Sequence, residues 1–253
     1  MQVVDKNEIS HYNENEYFFV SIDEASLRNS DILLELDLPA SHKKYKNIWI
    51  GMDVGYIQAP SAIVVFAEEA VNKTETRLKL LTRILLKKVA HIDQVKTIIH
   101  LIDTYRPMAF AMDRTGPLFL NLQVTVSANK EMNFVIDRIK GYIFSELIVV
   151  GYDPSITIDE RDPKGYEKAE IRKNVLEQSS DVLRGLVDDQ KILLPWDRDL
   201  IAEFQGQTYS YEKGRLDMYG RRKVFNTGSF HTLDATRMAV LAWSQNAVDV
   251  FLK

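Results

Sequence analysis

Apolar residues first settle into an ordered pattern at about position 47. NIWIGMDVG (47–55) is apolar up to a glycine-flanked aspartate, SAIVVFAEE (61–69) is a second run and RLKLLTRILLKKV (77–89) a longer third. Short continuous apolar runs of this kind predict three consecutive strands. In HIDQVKTIIHLIDTYRP (91–107) the residues Ile92, Val95, Ile98, Ile99 and Ile102 recur at the spacing of one helix face, and Pro107 follows the expected helix end. The helix returns the chain to MAFAMD (108–113), a buried fourth strand expected to run parallel to the first, because parallel neighbours need such a crossover. RTGP (114–117) then predicts a turn into a short helix, and LIVVGYD (147–153) a further strand.

Beyond these, residues 167–190 predict a long amphipathic helix, KILLP (191–195) a short strand, and 197–204 a helix with Asp197 as its N-cap. QTYSYEKGRLDMYGRRKVF (207–225) alternates aromatic and charged residues around Gly214 and Gly220, the pattern of a β-hairpin or ribbon, and FHTLDATRMAVLAWSQNAV (230–248) is an alanine-rich helix. Residues 1–46 are patterned differently: a polar stretch (DKNEISHYNENE), a strand-like run at 17–22, a candidate helix over 24–36, then Pro39 and the basic residues Lys43, Lys44 and Lys46. They read as a linker or small docking element, with 47–253 as the main domain. The element order predicts an α/β mixed sheet with an antiparallel hairpin at one side, an arrangement that suits a ribonuclease H-like fold.

Composition narrows the chemistry. Hydrophobic residues at 45% and charged residues at 27% are ordinary for a soluble globular protein. The absence of cysteine excludes disulfides and thiolate metal sites, so any metal must be held by Asp, Glu, His or backbone oxygen, which favours hard cations. No run approaches the ~20 apolar residues that span a bilayer, and MQVVDKNEIS lacks the regions of a signal peptide, so a cytosolic location is expected. A net charge of -4 speaks against coating nucleic acid through bulk electrostatics. It does not exclude a nuclease, which concentrates carboxylates at a metal and places cations locally.

Three acids then stand out. Asp53 ends an apolar strand in GMDVG, where the glycines leave room for a ligand, and Asp113 ends MAFAMD in the same way. Each alone is more simply a turn-forming residue. Together, on neighbouring parallel strands, they would bring two carboxylates close, a repulsion that a divalent ion relieves. In HTLD, His231 and Asp234 are three residues apart and share a helix face near its N-terminus. By itself that pair reads as an acid complementing the helix dipole beside a surface histidine. Acids from two strand ends and a helix start match the needs of two-metal phosphodiester hydrolysis.

The set GMDVG, AMDRTG and HTLDATRMAVLAW, with LRGLVDDQKILLPWDRDLIAEFQGQTYSY before the last, resembles the motifs of the C-terminal nuclease domain of viral (bacteriophage) terminase large subunits, from about Ile48 to Trp243. The resemblance implies a ribonuclease H-like mixed β-sheet flanked by helices. It implies a divalent-metal-dependent endodeoxyribonuclease that cuts concatemeric viral DNA during genome packaging. Asp53, Asp113 and Asp234 would hold two ions, Mg²⁺ or Mn²⁺, with His231 as a fourth catalytic participant near the second. Its implied partners are double-stranded DNA, portal protein, the small terminase subunit and a packaging ATPase domain, with no membrane, in the cytoplasm of the infected host cell. The chain departs from that family's large subunits in having no G-x-x-x-x-G-K-[ST] phosphate loop, so translocation is not assigned to it.

For DNA contact the candidates are Lys213, Arg215, Arg221, Arg222 and Lys223, interleaved with Tyr209, Tyr211 and Tyr219, and Arg114 beside Asp113. A solvated hairpin with edge-protecting charges explains the first group equally well. Lys168, Arg172 and Lys173 read as the wet face of a helix. Competing functions are a Holliday-junction resolvase-like nuclease, a non-catalytic docking module of a packaging motor and, through GMDVG followed by SAIVVF, an actin-like ATPase, whose further glycine-rich phosphate motifs are absent.

Overall fold

The computed structural model describes residues 10–12, 16–23, 36, 38–55, 59–73, 75–112, 118, 157–160, 171–211, 223–226 and 228–251. Its centre is an antiparallel meander of β3 (Ile48–Asp53), β4 (Ser61–Ala70) and β5 (Thr76–Lys87). These strands are buried along nearly their whole length, because helices cover both faces of the sheet. That is why they read as continuous apolar runs rather than as an alternation. The helix α1 (His91–Tyr105) ends at Arg106, which takes a left-handed conformation and donates its N–H to the Ile102 carbonyl. The chain then enters β6 (Ala109–Met112), parallel to β3 with Trp49 opposite Ala109 and Met52 opposite Met112.

The same sheet takes in both described strands of the N-terminal segment that the sequence presented as a linker or docking element. β1 (Ser10–Tyr12) runs parallel to β9 (Ile192–Pro195), and β2 (Phe18–Asp23) runs parallel to β5 from Phe18 opposite Thr82 to Asp23 opposite Lys87. β9 joins the same edge of β5 at Leu78 and Lys79, giving a seven-stranded mixed sheet in the order β1-β9-β5-β4-β3-β6 with β2 beside β5. The segment is also tied down by side chains. Glu16 receives Lys44 and Lys79, while His42, in a short 3-10 turn (Ala40–Lys44), hydrogen-bonds Tyr105 and the Glu16 carbonyl.

Period two sorts the strand residues between two cores. Ile48, Ile50, Met52, Ile63 and Val65 pack with Val95, Ile98, Leu101 and Ile102 of α1. Trp49, Ala62, Val64 and Phe66 pack on the other face, against Leu183, Leu186 and Val187 of α2 (Val175–Asp188), Leu200 and Phe204 of α3 (Arg198–Gly206), and Leu233, Ala235 and Ala239 of α4 (His231–Phe251). The alanines of α4 and the missing side chain of Gly51 let helix and strand backbones approach. A Cβ on Gly51 would lie 2.0 Å from the Ala235 carbonyl oxygen.

One expected helix is shorter than its sequence pattern. Residues 171–174 form β8 (Ile171–Asn174), antiparallel to β7 (Thr157–Glu160) in a separate two-stranded sheet, and α2 starts only at Val175. Arg172 and Lys173 therefore lie on a strand, opposite Asp159 and Ile158, because distant pairing outweighs weak local helix propensity. The expected hairpin forms between β10 (Tyr209–Tyr211) and β11 (Lys223–Phe225). The expected strand at 147–153, the turn at 114–117 and the candidate helix at 24–36, apart from Leu36, lie outside the described residues.

Candidate metal centre

Asp53 is the last residue of β3 and continues the alternation Trp49, Gly51, Asp53, so it emerges on the face covered by α4. The parallel neighbour β6 ends one position short of it, since Met112 pairs with Met52. Asp113, the next residue, lies outside the described residues, as do Arg114, Lys213, Arg215, Arg221 and Arg222. From the helix side, α4 starts at His231, with the Asp234 N–H donated to the Phe230 carbonyl at 2.8 Å.

Strand end and helix start meet through His231 Nδ1 and Asp53 Oδ2, 2.8 Å apart. That hydrogen bond raises the imidazole above its ordinary pKa against the opposing effect of burial, with Asp53, Glu203 and Asp234 adding in the same direction. One turn on, Asp234 is ion-paired with Arg237, whose side chain is 1% exposed. Burial pushes the Asp234 carboxyl up to about 6, overcoming Arg237, and the Asp53 charge adds to the rise. Two further nitrogens of Arg237, Nε and Nη2, are buried without a hydrogen-bond partner among the described residues.

Behind this pair lies a second charged group. Arg83, buried in β5, donates from Nη1 to Asp197 Oδ2 at 3.1 Å, from Nη2 to Glu203 Oε2 at 3.4 Å and from Nε to Thr232 Oγ1 at 3.1 Å. Asp197 caps α3 as expected, its Oδ1 accepting from the N–H groups of Asp199 and Leu200, and Tyr17 donates to its other oxygen. Glu203 Oε1 accepts from the N–H groups of Thr232 and Leu233 in the first turn of α4.

The structure thus brings Asp53, His231 and Asp234 to one end of the sheet. Among the described residues, no group of three or more histidines and acids is gathered tightly enough to hold a metal. The donor set nevertheless fits a hard divalent cation. Asp53 and Asp234 offer carboxylate oxygens and His231 an imidazole nitrogen, donor types that such a cation takes, and each carboxylate lies against a cationic group. Lys223 stands apart from this group. It is ion-paired with Asp181 and lies 5.0 Å from the Tyr209 ring centroid, so its charge is already engaged within the fold.

Sequence reasoning passed over Arg83, Glu203 and Arg237. An arginine inside the apolar run LLTRILL signals a buried ion pair, and Arg237 stands three residues after Asp234 on the same helix face. Glu203 carries no such signal, because its partners lie on the distant strand β5 and on the first turn of α4.

These features define an α/β domain, a mixed sheet flanked by helices, with an acid and histidine cluster where its central strand meets the helix α4. No family model matches the sequence, and no curated protein sequence matches it. Among solved structures the chain is similar to large terminase nuclease domains from several phages. The large terminase nuclease of thermophilic phage G20c, with bound magnesium, covers 77% of this chain and 80% of its own length at 16% identity and a TM-score of 0.46. The g2p (large terminase) nuclease domain of bacteriophage SPP1, with bound Mn, covers 90% and 96% at 15% identity and a TM-score of 0.43. The large terminase nuclease domain of Thermus phage P74-26 covers 79% of each chain at 18% identity and a TM-score of 0.45.

Proposed function

We propose that this chain is a divalent-metal-dependent endodeoxyribonuclease that cuts viral DNA during genome packaging, with Asp53, Asp113 and Asp234 as metal-binding carboxylates and His231 beside them. The observation that carries the reading is the meeting of Asp53 at the end of β3 with His231 at the start of α4, 2.8 Å apart, with Asp234 one turn further on. The parallel alignment of β6 with β3, which ends one residue before Asp113, supports including that residue.

Bound divalent ions supply Lewis-acid polarisation of the phosphodiester and a nucleophilic water at neutral pH. The chain's own residues do the rest. Asp53 and Asp234 would provide the negative charge that retains the cations, and His231 and Arg237 hold those carboxylates in place. Arg237, buried and fixed to Asp234, orients that carboxylate in the way that outer hydrogen-bond partners orient metal ligands. Phosphate contacts are assigned to Arg114, Lys213, Arg215, Arg221 and Arg222, with Lys223 contributing less because Asp181 neutralises it. No described helix is long and apolar enough to cross a membrane.

The test is incubation of supercoiled plasmid with the protein and Mg²⁺, Mn²⁺ or excess chelator. Nicked and linear products should appear only with metal. Cleavage that persists in chelator would overturn the metal mechanism, and no cleavage with any divalent ion would make the chain a docking module.

A further inference from the structure

We propose that Glu203 is a positioning residue of the metal centre, acting as a cap supplied by one helix to the start of another. The first N–H groups of a helix have no partner within it, and a Ser, Thr, Asp or Asn at the N-cap ordinarily serves them. In α4 the residue before the first turn is Phe230, whose carbonyl accepts the Asp234 N–H but whose side chain has no capping oxygen. Glu203 replaces that local cap. Its Oε1 accepts from Thr232 N at 2.5 Å and Leu233 N at 3.1 Å, the two residues between His231 and Asp234.

The other carboxylate oxygen faces Arg83, which also holds Thr232 Oγ1 and the Asp197 that caps α3. A local cap would stabilise α4 wherever the helix lay. A cap carried on α3 and anchored to β5 instead fixes the helix start relative to the sheet, and hence fixes His231 and Asp234 relative to Asp53. Both Glu203 oxygens are engaged in this clamp, so the residue acts through the helix and not as a ligand.

The inference rests on the metal-centre reading, and the experiment separates the two. Mn²⁺ affinity is measured by calorimetry, with melting temperature in parallel, for the wild type, Asp53→Asn, Glu203→Gln, Glu203→Ala and Leu101→Ala. The last removes a buried side chain from the core on the opposite face of the sheet and controls for lost stability. Glu203→Gln keeps an oxygen for the two N–H groups but turns an amide NH2 toward Arg83, so it should weaken Mn²⁺ binding less than Glu203→Ala does. Glu203→Ala should weaken binding roughly 10- to 100-fold, the usual loss for partners that orient ligands, while Leu101→Ala melts earlier without a comparable loss. Unchanged affinity in Glu203→Ala overturns the positioning role, as does parallel weakening in Leu101→Ala. Loss of binding in Glu203→Gln equal to that in Asp53→Asn makes Glu203 a ligand and also overturns it. A wild type that binds no Mn²⁺ overturns the metal-centre reading itself.

Discussion

Replacing Gly51 by alanine should separate the two halves of the proposed metal centre. The new Cβ would lie 2.0 Å from the Ala235 carbonyl oxygen, 2.8 Å from Ala239 N and 3.0 Å from Ala235 C. All three are backbone atoms of α4, so no side chain can rotate aside. Reaching ordinary contact at 3.4 Å requires strand and helix to part by about 3.4 − 2.0 = 1.4 Å at that point. Overpacking of this kind costs about 1–3 kcal/mol, and at roughly 2–4 °C per kcal/mol the melting temperature should fall by roughly 2–12 °C. The displacement also bears on the site, since Asp53 sits on the strand and His231 and Asp234 on the helix. Misplacement by about 1 Å can cost about 100-fold in activity. Gly185→Ala is the matched control. It lies exposed in α2 with nothing within 4 Å of its Cβ, so alanine there should stabilise by about 0.5–1 kcal/mol and leave the site alone. Thermal unfolding, Mn²⁺ calorimetry and plasmid cleavage on the two variants decide the matter. A Gly51→Ala protein that melts and binds Mn²⁺ like the wild type would refute the reasoning.

Asparagine at Asp53, Asp113 or Asp234 should abolish most metal-dependent cleavage, and a variant that cleaves normally removes its residue from the set. At pH 7 Asp234→Asn should cost little stability, because burial already disfavours the ionised Asp234 carboxylate despite Arg237 and asparagine removes that charge. In chelator, stability should fall as pH rises from about 4 to about 6. Asp234 stands at about 6 when folded against an ordinary 3.8, so the folded chain binds that proton more tightly than the unfolded one. His231, also raised, acts in the same direction at higher pH, its contribution complete below 6.5 and lost as pH climbs through its folded value. Melting curves of Asp234→Asn should lack the lower part of this dependence, and an identical profile would contradict it. Finally, neutralising Arg221 and Arg222 should make the slope of log DNA affinity against log salt shallower by roughly 2, at about 0.9 per phosphate, whereas Lys223→Ala should lower stability and leave the slope nearly unchanged. Equal slope changes from all three would put Lys223 on DNA.

How much of the fold was legible depended on where each element found its partners. β3, β4 and β5 follow one another and pair as neighbours, and their burial on both faces writes itself into the chain as uninterrupted apolar runs. α1 announces itself by period, and Asp197 by the capping chemistry of the residues that follow it. Pairing between distant segments left weaker marks. β1 is three residues long and gains its order from β9, more than 180 positions away, so a polar N-terminal stretch carried no sign of joining a sheet. β8 was hidden for a related reason. IRKN continues a helical charge pattern, and only pairing with TIDE makes it a strand.

The site divides along the same line. Asp53 was visible because a carboxylate that ends an apolar strand between glycines breaks a pattern, and His231 with Asp234 because a three-residue spacing puts them on one helix face. What sequence cannot express is which group neutralises which. The Asp53–His231 contact spans 178 positions, Arg83–Thr232 spans 149, and Arg83–Glu203 spans 120. These contacts form only after the sheet and both helices are assembled. Their chemistry is also degenerate in one dimension, since every acid in α3 is equally able to cap a distant helix until the backbone chooses Glu203. The carboxylates that would hold a metal are therefore readable as motifs, whereas the residues that hold those carboxylates still belong to the tertiary structure. Substitutions at Glu203 and Arg83 are accordingly the ones most able to impair the centre while leaving every recognisable motif in the sequence intact.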